Sequence, residues 1–238
     1  MIFSARAKTT MPTAQTALPG RATRPFPVSP TNVVLGTPVE GPWPAGSEIL
    51  YVAMGCFWGV ERIYWRLPGV VNTAVGYMGG FTENPTYEES CTGLTGHAET
   101  VRVVYDPTVT SAEILLKAFW ENHDPTQGNR QGNDVGTAYR SALFWTTPGQ
   151  QAAIEATRRA FQEELAGHGF GAITTQVQPA AEVGPFYLAE DYHQQYLHKD
   201  PGGYCNHGPY GCSLSERALQ EAEQSRLATT GVALPPTD

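Results

Sequence analysis

Hydrophobic and polar residues recur along this chain with two different periods, and each change of period predicts where a strand or a helix begins. Short apolar or alternating runs are typical of strands, and they occupy 49–54, 70–77, 99–105, 139–145 and 173–177. Apolar residues at helical spacing predict helices, which occupy 57–67, 110–120, 147 to about 165, and a more polar stretch from 213 to about 227. Between them, the Gly- and Asn-rich stretches 78–98 and 121–137 are predicted to be long loops, a length that usually indicates function or disorder.

Two of the predicted helices begin with recognisable capping signals. Thr110 and Glu113 have the spacing of a capping box, in which polar side chains bond to the free N–H groups of the first turn. Thr147 and Gln150 repeat that spacing, with Pro148 at the first helical position. We therefore expect helices to start at both places.

The order of the first six elements predicts the fold class. They run strand, helix, strand, strand, helix, strand, which is the split βαβ order and gives an antiparallel sheet with helices packed on one face. We expect an α+β fold with a ferredoxin-like core, an antiparallel-rich sheet, long functional loops and extended tails. The predicted segments are an N-terminal arm at 1–47, a folded domain at 48–212 and a helical or flexible tail at 213–238.

Charge and composition narrow the choice of partners. A net charge of −8 argues against a nucleic-acid partner, and there is neither a basic block for an anionic membrane nor an apolar run of transmembrane length. The first acidic residue is Glu40, and the preceding arm, rich in Ser, Thr, Ala and Pro, loosely resembles a transit peptide. Because its prolines break any amphipathic helix, we interpret it as a surface arm. We expect a cytoplasmic protein, with organelle targeting left open.

The candidate chemistry begins at Cys56, where the first strand passes into the first helix. Gly55 allows a tight turn, and the free N–H groups of a helix N-terminus favour a negative charge, so we expect the thiol to tend toward thiolate. Phe57 and Trp58 add aromatic rings beside it. A single cysteine is more often an inert buried residue, but this position favours a nucleophile. Four cysteines in the chain are too few for a disulfide scaffold, which favours redox or metal chemistry.

Motifs in the predicted loops extend this chemistry over most of the chain. In order they include Gly55-Cys56-Phe57-Trp58-Gly59, Asn84-Pro85-Thr86-Tyr87, Thr95-Gly96-His97-Ala98-Glu99, Gly136-Thr137-Ala138-Tyr139-Arg140-Ser141, Ala189-Glu190-Asp191-Tyr192-His193 and Gly203-Tyr204-Cys205. Together they resemble the A-type peptide methionine sulfoxide reductases, from about residue 49 to residue 212. The resemblance implies that 48–212 is a catalytic domain that reduces methionine S-sulfoxide, peptide-bound or free, as a monomer. It implies no bound cofactor or metal, and thioredoxin as the external reductant.

The same resemblance implies roles in the reductive step. Cys56 would attack the sulfoxide sulfur, and Glu99 would be the acid on its oxygen, with a pKa raised by an aromatic pocket. Tyr87 and Tyr139 would donate hydrogen bonds to that oxygen. The remaining assigned residues would bind substrate; they are Phe57, Trp58, Asp134, His193 and Tyr204.

The resemblance also implies that the oxidised enzyme is recycled through the two C-terminal cysteines. Cys56 would become a sulfenic acid that condenses with Cys205, and Cys212 would then form a Cys205–Cys212 bridge for thioredoxin to reduce. Cys91 receives no role. Two departures from the family pattern concern substrate preference and the final exchange: Ala138 stands where relatives often have Gln, and the tail beyond Cys212 is longer than usual.

Three other interpretations remain open on sequence alone. A zinc site could use the C-terminal N and S ligands, although no C-x-x-C pair is present; the candidates are His193, His198, Cys205, His207 and Cys212. A thiol peroxidase would also cycle a cysteine through sulfenic acid. A non-catalytic module could bind Met-rich peptides through its aromatic residues.

Overall fold

A six-stranded sheet forms the centre of the computed structural model, which describes residues 8–230. Its strands and those of a separate two-stranded ribbon are, in chain order, β1 Glu48–Met54, β2 Val70–Met78, β3 Ala98–Tyr105, β4 Arg130–Gln131, β5 Asp134–Val135, β6 Ser141–Trp145, β7 Gln176–Pro179 and β8 Tyr187–Leu188. The helices are α1 Phe57–Tyr64, α2 Tyr87–Ser90, α3 Ala112–Glu121, α4 Pro148–Gly167, α5 Ala180–Val183, α6 Tyr196–Lys199 and α7 Glu216–Thr230, with a 3₁₀ turn at Thr137–Tyr139.

The strand order confirms the predicted split βαβ core. The sheet runs β7-β6-β1-β3-β2-β8, and the four central strands pair antiparallel with one another. β7 extends one edge in parallel with β6, and β8 extends the other edge antiparallel to β2. β1 is therefore the inner strand between β6 and β3.

The register of β1 explains where the functional residues meet. Val52 pairs with Val101 of β3, so the same antiparallel register continued by two residues places Met54 opposite Glu99. On the other side Met54 pairs with Ser141, the first residue of β6. The end of β1 and the starts of β3 and β6 consequently share one edge of the sheet.

The long helices cover one face of the sheet, as expected. Alternate strand residues such as Leu50, Val52 and Val103 pack against α1, α3 and α4, and they contribute to one continuous core. Burying large side chains of this core, such as Phe119 and Phe161, stabilises the fold by about 1.5–3 kcal/mol each. The opposite face is covered by small clusters that include Phe186 and residues of the N-terminal arm.

Some element boundaries differ from the predictions. The N-cap of α3 is Ser111, whose hydroxyl accepts from the Ile114 N–H, so the capping box predicted at Thr110 is wrong. Thr110 is instead buried, and its hydroxyl has no hydrogen-bond partner within the described chain. At α4 the Thr147 hydroxyl accepts from the Gln150 N–H as predicted, although the Gln150 side chain bonds to the neighbouring Thr146 N–H.

Two predicted strands begin later than their apolar runs. The residues before Ser141 form the 3₁₀ turn that carries Tyr139, so β6 is shorter than the predicted 139–145. β7 lies after the predicted start because Ile173 is inserted in the core and the Thr174 N–H bonds to the Pro125 carbonyl. Burial, and not strand pairing, accounts for the apolar residue at 173.

Both terminal segments pack on the domain where they are described. In the arm, Leu18 bonds to the Leu94 carbonyl and Arg21 forms a 2.5 Å ion pair with Glu89. In the tail, α7 packs along α4 and buries Ala218, Ala222 and Leu227. Residues 1–7 and 231–238 of the predicted arm and tail lie outside the described residues. Between residues 8 and 230, no helix has the length and apolar character needed to cross a membrane.

Candidate active site

Cys56 lies at the N-cap of α1, directly after β1. Gly55 has a φ of +95°, and a Cβ there would lie 2.6 Å from the Cβ of Gln131, so only glycine fits this turn. The Cys56 side chain is 6% exposed. The turn therefore delivers a buried thiol to the helix N-terminus at the sheet edge.

Glu99 is brought to the same place by the strand register. Its Oε2 accepts a 3.0 Å hydrogen bond from the backbone N–H of Phe57, the residue after Cys56, and its side chain is 3% exposed. Burial raises the pKa of Glu99 to about 8, against the opposing effect of the Phe57 N–H, and the charge of Asp134 raises it further. A carboxyl with that pKa carries a proton for most of the time at pH 7.

The resting thiol is not activated in the way the sequence predicted. Burial raises the pKa of Cys56 above its ordinary value, and the negative charge of Glu99 adds to this, although a hydrogen bond from the Trp58 backbone lowers it. A helix N-terminus stabilises an anion by at most about 2 kcal/mol, which does not offset such burial. The expected tendency toward thiolate is therefore wrong for the resting site.

A small cavity of about 80 Å³ lies over Cys56 and Glu99, with room for a few water molecules or the end of one side chain. It brings together eight of the eleven predicted site residues: Cys56, Phe57, Trp58, Tyr87, Glu99, Asp134, Tyr139 and Tyr204. Burial raises the pKa of both Tyr87 and Tyr139, so each phenol keeps the proton that it can donate to a ligand.

Asp134, on β5, connects the cavity to the C-terminal segment. Its carboxylate accepts from the Tyr204 hydroxyl at 3.2 Å and from the Asn206 amide at 2.9 Å. Burial raises the pKa of Asp134, while these two bonds lower it. Tyr204 is half exposed at the mouth of the cavity, so the pair lies at its solvent side.

His193 lies behind the aromatic rings and not among the cavity-lining side chains. Its Nδ1 accepts a 3.0 Å hydrogen bond from the Trp58 indole, and its ring lies 5.1 Å from that of Phe57 and 4.5 Å from that of Tyr87. Burial lowers its pKa to about 4, so the ring stays neutral. A direct contact of His193 with substrate stays a prediction; its observed contacts position the cavity wall.

Cys205 packs against α1 at Gly59, three residues after Cys56. A Cβ on Gly59 would be 2.8 Å from the Cys205 sulfur, and the Arg62 guanidinium is 2.9 Å from that sulfur. Cys205 is partly buried, and like the other three cysteines it forms no disulfide. The segment that carries it therefore rests on the helix that begins at the candidate nucleophile.

Cys212 is buried in the core beneath the tail. It is 4% exposed and belongs to the cluster that contains Leu214 and Ala218. The adjoining backbone is held by Glu121, whose carboxylate accepts from the Leu214 N–H and the Ser213 hydroxyl. An exchange between Cys212 and Cys205 would therefore start from a buried Cys212 sulfur.

Two carboxyls near the cavity were given no role by the sequence: Glu190 is partly buried and Glu61 is fully buried. Glu190 accepts from the Tyr87 N–H at 2.8 Å and from the Tyr77 hydroxyl at 3.0 Å, which fixes the backbone of a cavity tyrosine. Glu61, on α1, accepts from the Gln195 N–H at 2.8 Å, and burial raises its pKa to about 7. The motif that contains Glu190 could have indicated its role. The role of Glu61 depends on its tertiary contact with Gln195, which no local pattern indicates.

The zinc interpretation receives no support from the side-chain arrangement. In the part of the chain from residue 8 to residue 230, no group of three or more His, Cys, Asp and Glu side chains is arranged to hold a metal ion. His193 lies behind Trp58, Cys205 packs against the surface of α1, and Cys212 lies in the core. The proposed ligands are thus distributed over separate surroundings.

Comparisons with known proteins show the family of this chain. The family model described as peptide methionine sulfoxide reductase matches residues 48–225. The chain is 62% identical over 200 residues to the peptide methionine sulfoxide reductase MsrA of Agrobacterium fabrum, covering 83% of this chain and 90% of that protein. It is 59% identical over 201 residues to MsrA 1 of Caulobacter vibrioides, covering 84% and 91%.

Solved structures show the same relationship in three dimensions. Methionine sulfoxide reductase A of Corynebacterium diphtheriae matches with a TM-score of 0.74 and 44% identity, covering 87% of this chain and 100% of that one. Mxr1 from Saccharomyces cerevisiae in its reduced form matches with a TM-score of 0.60 and 34% identity, covering 74% and 96%. The chain therefore belongs to the family of A-type peptide methionine sulfoxide reductases, as its loop motifs predicted.

Proposed function

We propose that this protein reduces methionine S-sulfoxide, peptide-bound or free, with Cys56 as the nucleophile and Glu99 as the acid. The observation that carries the proposal is the 3.0 Å hydrogen bond between the Glu99 carboxyl and the N–H that follows Cys56, inside an aromatic cavity. It fixes an acid that is protonated at neutral pH beside a sulfur nucleophile.

In the reductive step the sulfoxide oxygen lies among Glu99, Tyr87 and Tyr139, and its methyl group lies against Phe57 and Trp58. Sulfur–aromatic contacts of this kind contribute about 0.3–1.5 kcal/mol each. The Cys56 sulfur attacks the sulfoxide sulfur while Glu99 gives its proton to the oxygen and recovers the proton of the thiol. The hydroxyl then passes to the Cys56 sulfur as the new sulfur–sulfur bond and the original S–O bond break. This leaves a sulfenic acid on Cys56 and releases the thioether as methionine.

That proton exchange agrees with the two raised pKa values of the resting site. Burial keeps both the Cys56 thiol and the Glu99 carboxyl in their neutral forms. The negative charge then develops only when a polarised sulfoxide oxygen is present to receive the proton. A neutral resting thiol is also less exposed to oxidation in the absence of substrate.

Recycling proceeds through Cys205 and Cys212. Cys205 condenses with the sulfenic acid to a Cys56–Cys205 disulfide with loss of water, and Cys212 then attacks Cys205 and releases the Cys56 thiol. The packing of Cys205 against α1 supports formation of the Cys56–Cys205 bridge. The burial of Cys212 implies that the tail detaches before Cys212 attacks Cys205. We propose thioredoxin as the external reductant of the Cys205–Cys212 bridge, with no bound cofactor.

We further propose that the protein acts as a monomer in the cytoplasm. A reducing compartment maintains the free thiols on which the cycle depends.

Thiol counting after one equivalent of methyl sulfoxide tests the proposal. The wild-type protein should release one equivalent of methionine and form a disulfide that maps to Cys56 and Cys205. The Cys205→Ser variant should release the same first equivalent and then fail to cycle with thioredoxin. If Cys56→Ser still reduces the sulfoxide, or if the wild type turns over only hydrogen peroxide, the assignment fails.

A further inference from the structure

The guanidinium of Arg62 makes a polar contact with a reacting atom of the proposed relay. Its Nη2 lies 2.9 Å from the sulfur of Cys205, and the side chain is partly buried on α1. Within residues 8–230, Arg62 forms no ion pair with a carboxylate. Its positive charge is therefore directed to the sulfur and is not neutralised by a neighbouring acid.

Gly59 provides the space for this contact. A Cβ at that position would lie 2.8 Å from the Cys205 sulfur and 2.4 Å from Nδ1 of His207. Real Cβ atoms do not approach heavy atoms so closely, so the segment containing Cys205 sits directly against the helix backbone at Gly59. This point is three residues along α1 from Cys56.

The chain on both sides of Cys205 is held in place. Before it, the Tyr204 hydroxyl donates to Asp134; after it, the Asn206 amide donates to the same carboxylate. His207 bonds through Nε2 to the Met54 carbonyl at 2.7 Å, and because a carbonyl only accepts, Nε2 carries the hydrogen. These hydrogen bonds hold Cys205 in position beside Arg62.

We propose that Arg62 is a catalytic residue of the disulfide-forming step, in which it stabilises negative charge on the attacking sulfur of Cys205. The proposal rests on the proposed relay from Cys56 to Cys205. In that step an S–S bond forms between the two cysteines and the S–O bond of the Cys56 sulfenic acid breaks. The hydroxyl leaves as water with the proton of the Cys205 thiol, so no further oxidant or reductant takes part.

The chemistry of thiols explains why a guanidinium helps here. The thiolate is the attacking species, and Arg remains charged at any physiological pH, so its hydrogen bond favours the reactive form. The charge disappears in the disulfide, so the product is not held by Arg62.

A merely structural role is the rival explanation, and a set of substitutions separates the two. Arg62→Gln keeps a hydrogen-bond donor and removes the charge, whereas Arg62→Lys keeps the charge and changes the donor geometry. Arg66→Gln is the matched control, because it removes a positive charge from an exposed position one turn further along the chain. Thermal unfolding establishes that each variant is folded.

Single-turnover kinetics with one equivalent of methyl sulfoxide and no reductant provides the test. Quenched samples give the rate of methionine release and, by mass mapping, the rate of Cys56–Cys205 bridge formation. Arg62→Gln should lower the ratio of bridge formation to methionine release by about tenfold, the effect expected when a charged hydrogen-bond donor is replaced by a neutral one. Arg62→Lys should restore most of that ratio, and Arg66→Gln should match the wild type.

Equal ratios in Arg62→Gln and the wild type would overturn the proposal. So would an equal loss in the Gln and Lys variants, because the charge would then not be the cause. If the wild type releases methionine and forms no Cys56–Cys205 bridge, the relay itself fails and the role of Arg62 fails with it. The measurement on the wild type therefore distinguishes failure of the relay from failure of the Arg62 assignment.

Discussion

The indole N–H of Trp58 donates a 3.0 Å hydrogen bond to Nδ1 of His193, which joins a cavity ring to a side chain buried behind it. The same imidazole packs against the rings of Phe57 and Tyr87. Three of the aromatic residues that surround the proposed methyl site are thus oriented by one neutral histidine. The orientation of the cavity depends on a residue that does not line it.

Replacing His193 with Leu should therefore weaken substrate binding and stability together. The Trp58 N–H would lose its acceptor in apolar surroundings, at a cost of roughly 1–3 kcal/mol in the free energy of unfolding. We expect KM for methionine sulfoxide to rise more than kcat falls. Urea unfolding and steady-state kinetics check this, with His168→Leu, at an exposed position after α4, as the control. An unchanged KM in the His193 variant would contradict the positioning role.

Glu99→Gln should slow the reductive step more than it weakens substrate binding, because the proton is transferred mainly in the transition state. We expect methionine release in single turnover to fall by roughly 10²–10⁴-fold. In the wild type the acid form is required, so the rate should fall as the pH rises through about 8, where Glu99 loses its proton. A variant that keeps the wild-type rate, or a wild-type profile that is flat through pH 8, would refute the acid role.

Stability should also decrease as the pH rises from about 7 to about 8. Below that range four histidines, whose pKa values burial lowers to about 3 or 4, have the opposite effect; they are His97, His123, His193 and His207. Burial raises the pKa of Glu61 to about 7 and that of Glu99 to about 8, so the folded state retains protons that the unfolded chain has released. The unfolded state binds fewer protons over this range, which makes the slope of the unfolding free energy against pH negative. Urea unfolding at a series of pH values measures the slope, and Glu61→Gln should flatten it. A slope that is positive in the wild type would contradict both assignments.

The tail should control access to Cys212. Arg226 of α7 forms a 2.7 Å ion pair with Glu113 of α3, whose side chain is 3% exposed. Arg226→Ala leaves that carboxyl buried without its partner, at a cost of roughly 2–4 kcal/mol, and should loosen α7. We expect faster alkylation of Cys212 in the reduced enzyme, since local opening exposes buried groups.

The matched control for this test is Arg217→Ala. Arg217 pairs with Glu221 on the same helix, but its side chain is 87% exposed, and an exposed pair contributes little to stability. Alkylation of Cys212 should therefore proceed at the wild-type rate in that variant. Equal acceleration by both substitutions would show that any loss of charge on α7 has the same effect, and that the buried ion pair does not hold the tail.

The sequence was sufficient for those parts of the fold and site that depend on local patterns. The alternation of strands and helices predicted the split βαβ core, and the motifs predicted most of the side chains around the cavity. Local patterns failed where burial decides the outcome. The apolar run at Ile173 predicted a strand, but Ile173 is buried in the core before the strand begins. The helix N-terminus at Cys56 predicted a tendency toward thiolate, but burial opposes ionisation of this thiol.

Contacts between distant segments carried no sequence signal of their own. Arg62 belongs to a helix whose apolar spacing was clear, but nothing in its surroundings indicated that Cys205 would rest against Gly59. The same holds for His207, which reaches back to the Met54 carbonyl. Such pairs are set by how the C-terminal segment packs, and that packing depends on the whole domain.

The nucleophile and its acid are positioned by backbone pairing of β1 with β3, with Cys56 two residues beyond the end of one strand and Glu99 near the start of the other. Strand pairing is insensitive to the length of the intervening chain. Apart from Tyr87, which lines the cavity, residues 79–97 can therefore lengthen, shorten or change sequence in descendants of this chain without separating the two groups. Selection on substrate range can act on the rest of that connection while the nucleophile and its acid are inherited in place.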